Sequence, residues 1–196
     1  MLILAGQFVI WALSGLYMVV FDIDYIHGDS LVKEHTNSLE ARSINYTYDA
    51  IVNDYPKMEK FELSFWKERP VYRFIENDEK YLVDAQSGNR LENLTKEQAI
   101  ETAQYYYTGS GKVTSSKLID KNPPFELSRR HLPAWQIEFS DLGSPRLYIS
   151  AIDGKLVSKR HDYWVLFDWM FSFHVMDYKE EDVSNKLLFI FALLSS

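Results

Sequence analysis

The sequence predicts an α+β fold in which two tandem helix-plus-antiparallel-strand units lie between two transmembrane helices, the second of them truncated. Three observations predict this arrangement: an uncharged opening segment, a gapless internal repeat in the middle of the chain, and a short apolar run at its end. The chain has 196 residues, of which 46% are hydrophobic. That is enough for one domain or two small domains with a packed core.

Charge and cysteine content exclude several classes of function. The formal net charge is -7, and the basic residues are scattered among 28 acids, so nucleic acid is not expected as a partner. The chain has no cysteine. Disulfides, thiolate zinc sites and cysteine nucleophiles are therefore excluded together.

The opening segment, residues 1–21, carries no charge and has about the length that spans a bilayer core of about 30 Å. It lacks the basic start and the cleavage site of a signal peptide. A buried core helix is the alternative, which an all-round apolar helix fits less well. We therefore predict a transmembrane helix over 1–21, a juxtamembrane linker over 22–42, and a main domain on the extracytoplasmic side of the membrane.

The closing segment resembles the beginning of a second membrane helix. Residues Leu187 to Leu194 are eight apolar residues in a row, too few to span a bilayer. We expect residues 185–196 to be the truncated start of a second span. An amphipathic aromatic helix over 161–184 is expected to lie at the membrane interface in front of it.

An internal repeat organises the middle of the chain. The segments YLVDAQSGNRL and LYISAIDGKLV align without a gap, with Gly88 over Gly154. Each reads as a strand, a tight turn and a strand, because glycine tolerates the positive φ that such turns need. Upstream, RPVYRFIE aligns with LPAWQIEF, and both alternate after a proline that starts the strand, with Tyr72 over Trp135.

A candidate helix precedes each set of strands. Thr95 and Gln98 have the spacing of a capping box at the start of the second helix. The segment TYDAIVNDYP, which ends at Pro56, is the candidate for the first. These signals predict two helix-on-sheet units, over 43–94 and 95–160, which pack together because each is marginal alone.

The segments WALSGLYMVVFDIDYIHGD, DAQSGNRL, SAIDGKLV and HDYWVLFDWMFSFHVMDY together resemble PepSY-associated transmembrane proteins. These are bacterial inner-membrane proteins whose periplasmic PepSY domains lie between membrane helices. The resemblance implies that the units over 43–94 and 95–160 are both PepSY-like and that they lie on the periplasmic side of a bacterial inner membrane. Some larger members look like iron-regulated or siderophore-linked reductases that hold haem through membrane histidines. Isolated PepSY domains resemble parts of metalloprotease propeptides, which inhibit the protease or assist its folding.

Two histidines lie near the predicted membrane boundaries, His27 and His174. Imidazole is a common ligand for haem or a metal, so both are candidate cofactor ligands. Interface packing is the simpler interpretation. His174 would stack on Tyr178, and Asp177 would accept its ring proton.

The aromatic segment around His174 supports the packing interpretation. Trp164 and Trp169 would belong to a belt at headgroup depth, with Asp168 in a narrow polar strip. An electron-transfer path or quinone pocket is the alternative. Two basic runs, Arg129–His131 and Lys159–His161, are interpreted as solvated surface, as contacts to anionic lipid, or as an anion site for a headgroup or a siderophore carboxylate.

The sequence has no recognisable catalytic or phosphate-binding motif, and no catalytic or metal-binding residue is assigned. The sequence therefore agrees with two functions. The first is a membrane-anchored binding or regulatory module that acts on an envelope protein, a protease or a redox partner. The second is a component of a haem-dependent reductase linked to iron uptake. No cofactor is required by the sequence, and the resemblance makes haem the candidate. Oligomeric state is left open.

Overall fold

A computed structural model of the chain describes residues 2–36 and 44–175, except the side chains of residues 2–4 and 173. The chain divides into two compact units. The helical unit contains residues 1–30 and 160–196, and the sheet unit contains residues 31–159.

The helical unit is built from three helices, α1 (Leu2–Val20), α2 (Ile23–His27) and α5 (Asp162–Val175). The Asp22 carboxylate caps α2 by accepting from the backbone N–H groups of Asp24 and Tyr25. Gly28 ends it in the left-handed region, at φ 75°. Helices α1 and α5 pack against each other, and the Tyr17 hydroxyl donates to the backbone carbonyl of Tyr163 at 3.1 Å.

The predicted pair of transmembrane helices is wrong for this structure. Across residues 2–36 and 44–175, no helix combines the length and the apolar character that crossing a bilayer requires. The prediction rested on the uncharged composition of residues 1–21. In the structure α1 ends at Val20, and its Ser14 and Tyr17 hydrogen-bond to α5. The predicted second span, residues 185–196, lies outside the described residues.

The sheet unit confirms the predicted α+β class, with two antiparallel sheets. The first repeat consists of α3 and a three-stranded sheet in the order β1-β2-β3. The second repeat consists of α4 and a four-stranded sheet in the order β4-β5-β6-β7. Their elements are α3 (Tyr48–Asp54), β1 (Glu59–Trp66), β2 (Arg69–Glu76), β3 (Glu79–Asp84), α4 (Lys96–Tyr106), β4 (Val113–Ile119), β5 (Ala134–Phe139), β6 (Arg146–Ser150) and β7 (Leu156–Arg160).

Both predicted helices begin at a threonine N-cap. The Thr47 hydroxyl accepts from the Ala50 N–H at the start of α3. At the start of α4 the predicted capping box is confirmed, because Thr95 and Gln98 each accept from the other's backbone N–H. These bonds satisfy N–H groups that have no partner within the helix.

The two repeats share one strand register. In the first repeat, Val71 on β2 lies opposite Asp84 on β3. In the second, Ala134 on β5 lies opposite Ser150 on β6. These four positions are equivalent in the sequence alignment of the repeats. The internal repeat found in the sequence is therefore a repeat of strand pairing as well.

The aligned glycines also have equivalent places. Gly88 and Gly154 have φ of 75° and 64°, a conformation that glycine adopts without steric cost. Each lies against an aromatic ring, Gly88 against Tyr46 and Gly154 against Trp66. A Cβ at either position would come within 3 Å of that ring. Both turns therefore require glycine for conformation and for space.

The two repeats of the sheet unit share a core to which α4 and both sheets contribute. Helix α3 covers one face of the first sheet, where Ile51 packs with Tyr72, Phe74 and Val83. The opposite face of that sheet meets α4 and the second sheet in a shared core. Its fully buried members are Val71, Leu82, Ala99, Ala103, Ile137, Phe139, Leu147 and Ile149. Burying a large aliphatic side chain contributes roughly 1.5–3 kcal/mol, so this core joins the two repeats.

Candidate functional site

Arg73 lies in the middle of β2, on the face that packs towards the second repeat. Its side chain is only 6% exposed. The guanidinium donates to three uncharged oxygens: the backbone carbonyls of Asp153 at 2.9 Å and Phe65 at 3.2 Å, and the Ser64 hydroxyl. Burial lowers the pKa of Arg73, and the charges of Asp153 and Glu62 oppose that effect.

A groove of about 410 Å³ opens beside Arg73, where the first sheet meets the β6–β7 turn of the second repeat. We call it the junction groove. Its charged and titratable lining residues are Lys60, Glu62, Arg73, Lys80, His131, Asp153 and Lys155. Its other lining residues are apolar or aromatic: Phe74, Ile75, Tyr81, Leu156 and Val157. The groove thus combines an apolar wall with a surplus of cations.

Both carboxylates of the junction groove are engaged in ion pairs. Glu62 pairs with Lys155, and this hydrogen bond is the largest cause of the lowered pKa of Glu62. Asp153 lies 3.9 Å from the Lys80 ammonium, and its side chain also accepts from the Lys155 N–H at 3.1 Å. Each carboxylate therefore has a cationic partner, and that of Asp153 also accepts a hydrogen bond from a backbone N–H.

His131 joins the junction groove from the short 3₁₀ helix Arg129–His131. Partial burial lowers its pKa, and the charges of Arg130 and Lys80 lower it further, while Asp153 raises it. Its imidazole Nε2 accepts from Arg130 at 3.1 Å. At neutral pH the ring is accordingly neutral.

The outer face of the second sheet has its own charged cluster. Arg146 and Glu126 form a two-pronged ion pair, with N–O distances of 2.6 and 3.0 Å. The Tyr148 hydroxyl donates to the same carboxylate. Burial, followed by the hydrogen bond to Glu126, raises the pKa of Tyr148 far above its ordinary value. This cluster satisfies its own members and serves to close the sheet face.

His174 lies between α5 and α1 of the helical unit. Its Nδ1 is 3.0 Å from the Ser14 hydroxyl, and its ring centroid is 6.5 Å from that of Trp11. Because Nδ1 is engaged, Nε2 is the nitrogen that a haem iron or metal would have to use. The packing role and a ligand role thus use different ring nitrogens, and the ligand role of His174 stays a prediction.

His27 ends α2, and its side chain is exposed. No ring contact between His27 and His174 is among the described contacts of either residue, so their pairing as haem ligands also stays a prediction. Within residues 2–36 and 44–175, no cluster of three or more His, Cys, Asp or Glu residues is arranged to hold a metal ion.

The other predicted interface residues lie on α5 or beyond it. The Arg160 guanidinium sits 4.4 Å from the centroid of the Trp164 ring, a cation–π distance. Trp169 is 57% exposed, whereas Asp168 is half-buried. Asp177 and Tyr178, the predicted partners of His174, lie outside the described residues.

The two basic runs have different environments. His131, from the first run, lines the junction groove. His161, from the second, is 2% exposed and joins α2 to α5 in the helical unit. Its Nε2 lies 2.8 Å from the Tyr25 carbonyl, and its Nδ1 accepts from the Trp164 N–H at 3.2 Å. His161 is thus a structural residue at the start of α5.

Sequence reasoning missed Arg73, the central residue of the junction groove. One signal could have found it. In the alternating strand RPVYRFIE, Arg73 occupies the same face as the buried Val71. An arginine on an inward-facing strand position requires a polar partner and is a candidate functional residue.

Comparison with known families identifies one domain in the chain. Residues 93–160 match the family model PepSY, described as the peptidase propeptide and YPEB domain. This range contains α4 and the second sheet, so the second repeat is a PepSY domain. No curated protein and no solved structure gives a significant match to the chain.

Proposed function

We propose that this chain is a membrane-anchored, extracytoplasmic binding module that regulates a protein of the bacterial envelope by holding a segment of it in the junction groove. The supporting observation is the groove itself, which the PepSY domain and the preceding repeat build together around the buried Arg73. PepSY domains are generally regulatory or binding modules, which agrees with this role.

The chemistry of the groove favours binding over catalysis. Its cations and apolar side chains can orient a ligand, and both of its carboxylates are engaged in ion pairs. Arg73 is fixed by three hydrogen bonds, so little side-chain entropy is lost when a ligand docks on it. A preformed groove on rigid strands is what a recognition module requires.

Anchoring at the outer face of the inner membrane is the second part of the proposal. Large apolar side chains are exposed on α1 and α5 of the helical unit. Among them are Phe8, Val9, Leu13, Leu16 and Val19 on α1 and Leu166, Trp169 and Phe171 on α5. Apolar surface of this extent requires a covering partner, and lipid is the partner that we propose.

Site-directed crosslinking in cells tests the binding function. A diazirine amino acid replaces Ile75, which lines the junction groove, in the full-length chain. The matched control carries the same amino acid at Leu118, an exposed residue of β4 outside the groove. We expect one envelope protein, identified by mass spectrometry, to crosslink from position 75 and not from position 118.

Two outcomes contradict the proposal. Identical adducts from both positions, or none from position 75, remove the groove as the binding site. Cell fractionation tests the anchoring separately, because recovery of the protein away from membranes after gentle lysis contradicts the proposed location.

A further inference from the structure

The junction groove carries an excess of positive charge. Four of its lining residues, Lys60, Arg73, Lys80 and Lys155, are cations, and two, Glu62 and Asp153, are anions. The chain as a whole has a net charge of -7. A basic groove in an acidic protein concentrates an anionic ligand at one place while the remaining surface repels it.

Arg73 is the most deeply buried cation of the junction groove. A guanidinium buried this deeply is costly unless a negative charge compensates it. The described hydrogen bonds of Arg73 all go to uncharged oxygens, and the carboxylates of Asp153 and Glu62 act on it only through their fields. Guanidinium has five N–H donors, three of which these bonds use. An anion entering the groove would supply the missing charge.

The apolar part of the lining restricts the kind of anion. Ile75 lies two residues beyond Arg73 on β2, so its aliphatic side chain shares the face of the sheet that carries Arg73. Leu156 and Val157 of β7 also line the groove. A free inorganic anion would leave these side chains unused. A peptide that alternates acidic and apolar residues would satisfy both the cations and the apolar wall.

We infer that the junction groove is a selective site for an acidic, partly apolar peptide segment of the protein partner, whose carboxylates bind between Lys60, Lys80 and Arg73. This inference rests on the proposed binding function and adds the chemistry of the ligand. A volume of about 410 Å³ lies within the usual range for ligand pockets and suits a few side chains.

A pair of capped synthetic peptides tests the inference on the full-length chain. One alternates Glu and Leu, and the other has Gln in place of each Glu. We expect fluorescence anisotropy to show that the Glu peptide binds at least about tenfold more tightly, since hydrogen bonds between charged groups exceed neutral ones. Raising the salt concentration should weaken the binding of the Glu peptide alone.

Variants locate the site. Arg73→Gln places on β2 the residue that the second repeat has at the equivalent position, Gln136, so the sheet should tolerate it. It should weaken Glu-peptide binding about tenfold or more. Lys60→Gln, at an exposed groove position, should weaken Glu-peptide binding several-fold. It is the alternative variant for locating the site if Arg73→Gln does not fold. Lys117→Gln, an exposed cation on β4, is the matched control and should bind as the wild type does.

Each contrary result has a distinct meaning. Equal binding of the two peptides overturns the acidic selectivity and leaves the proposed binding function intact. Failure of the Glu peptide to bind overturns the inference. The proposed function is tested independently by in-cell crosslinking from position 75. Binding to anionic phosphatidylglycerol vesicles that Arg73→Gln abolishes, without any peptide binding, would assign the groove to lipid headgroups and also overturn the inference.

Discussion

In the first repeat the sheet face opposite the helix carries Arg73 and lines the junction groove, whereas in the second repeat the equivalent position is Gln136. Both positions lie on strands with the same register and opposite equivalent neighbours, Leu82 and Tyr148. The difference therefore comes from what covers each face, not from how each sheet is built.

The second repeat closes its outer face with its own chain. Leu127 packs in a buried cluster with Ile119, Ala134 and Tyr148. The Glu126–Arg146 ion pair lies beside this cluster, where Glu126 accepts from the Tyr148 hydroxyl. In the first repeat Val71 and Leu82 are buried in the core shared with α4 and the second sheet, whereas the neighbouring Arg73 lies beside an open groove. One scaffold thus supplies a closed face and an open one, and we place the function on the open face.

The largest expected effect comes from breaking the closed face. Glu126→Ala removes the partner of Arg146, whose side chain is 12% exposed, and also the acceptor of the Tyr148 hydroxyl. Because a mostly buried ion pair loses its carboxylate, we expect the free energy of unfolding to fall by about 3–5 kcal/mol. Urea denaturation measures it.

Glu92→Ala, at an exposed position, is the control for Glu126→Ala and should stay within about 0.5 kcal/mol of the wild type. A loss below about 1 kcal/mol for Glu126→Ala would mean that the Arg146 charge is solvated. The second face would then be open as well, and the contrast between the repeats would disappear.

A smaller effect compares the two glycine turns. Replacing Gly88 or Gly154 by alanine destabilises the folded protein by about 1–2 kcal/mol, because alanine is strained at a positive φ. It also overlaps an aromatic ring, at 2.7 Å from Tyr46 or 2.9 Å from Trp66. Tyr46 is half-buried and can move, whereas Trp66 is buried and its Nε1 donates to the Thr102 hydroxyl at 3.0 Å.

Gly154→Ala should therefore destabilise the protein by about 2–4 kcal/mol and Gly88→Ala by about 1–2 kcal/mol, because overpacking adds to the conformational cost where the ring cannot move. Thermal unfolding of both variants checks the order. Equal losses would indicate that Trp66 adjusts as easily as Tyr46, and that the junction of the repeats is less rigid than its burial implies.

Local signals predicted the repeats well. The aligned Gly88 and Gly154, the alternation in the strands, and the Thr95–Gln98 spacing all act within a few residues, so a single sequence reveals them. The α+β class is confirmed on this basis. The extent of the domains, the haem ligands and the membrane location stay predictions.

The features that sequence reasoning missed depend on distant residues. Arg73 and Asp153 are 80 residues apart, and Glu126 and Arg146 are 20 residues apart, with β5 between them. No local pattern encodes either contact. The opening segment shows the reverse problem, since composition alone predicted a transmembrane helix there, and the structure contradicts that prediction.

The smallest expected effect is a pH dependence in the open groove, centred on His131. Partial burial lowers its pKa below the ordinary value of about 6.5, Arg130 and Lys80 lower it further, and Asp153 opposes them. Acidification through that lowered pKa adds a positive charge to the groove. The Glu peptide, which stays ionised above about pH 5, should then bind a few-fold more tightly.

Lys80→Gln should move the His131 pKa back towards its ordinary value, and the control Lys117→Gln should not, as NMR titration of the imidazole Hε1 resonance would show. His131→Gln assigns that resonance and should remove the pH dependence of peptide binding. If tightening on acidification persists in His131→Gln, another group carries it. The charge balance of the groove would then depend on the Asp153–Lys80 pair, which loses its negative member when the carboxylate is protonated.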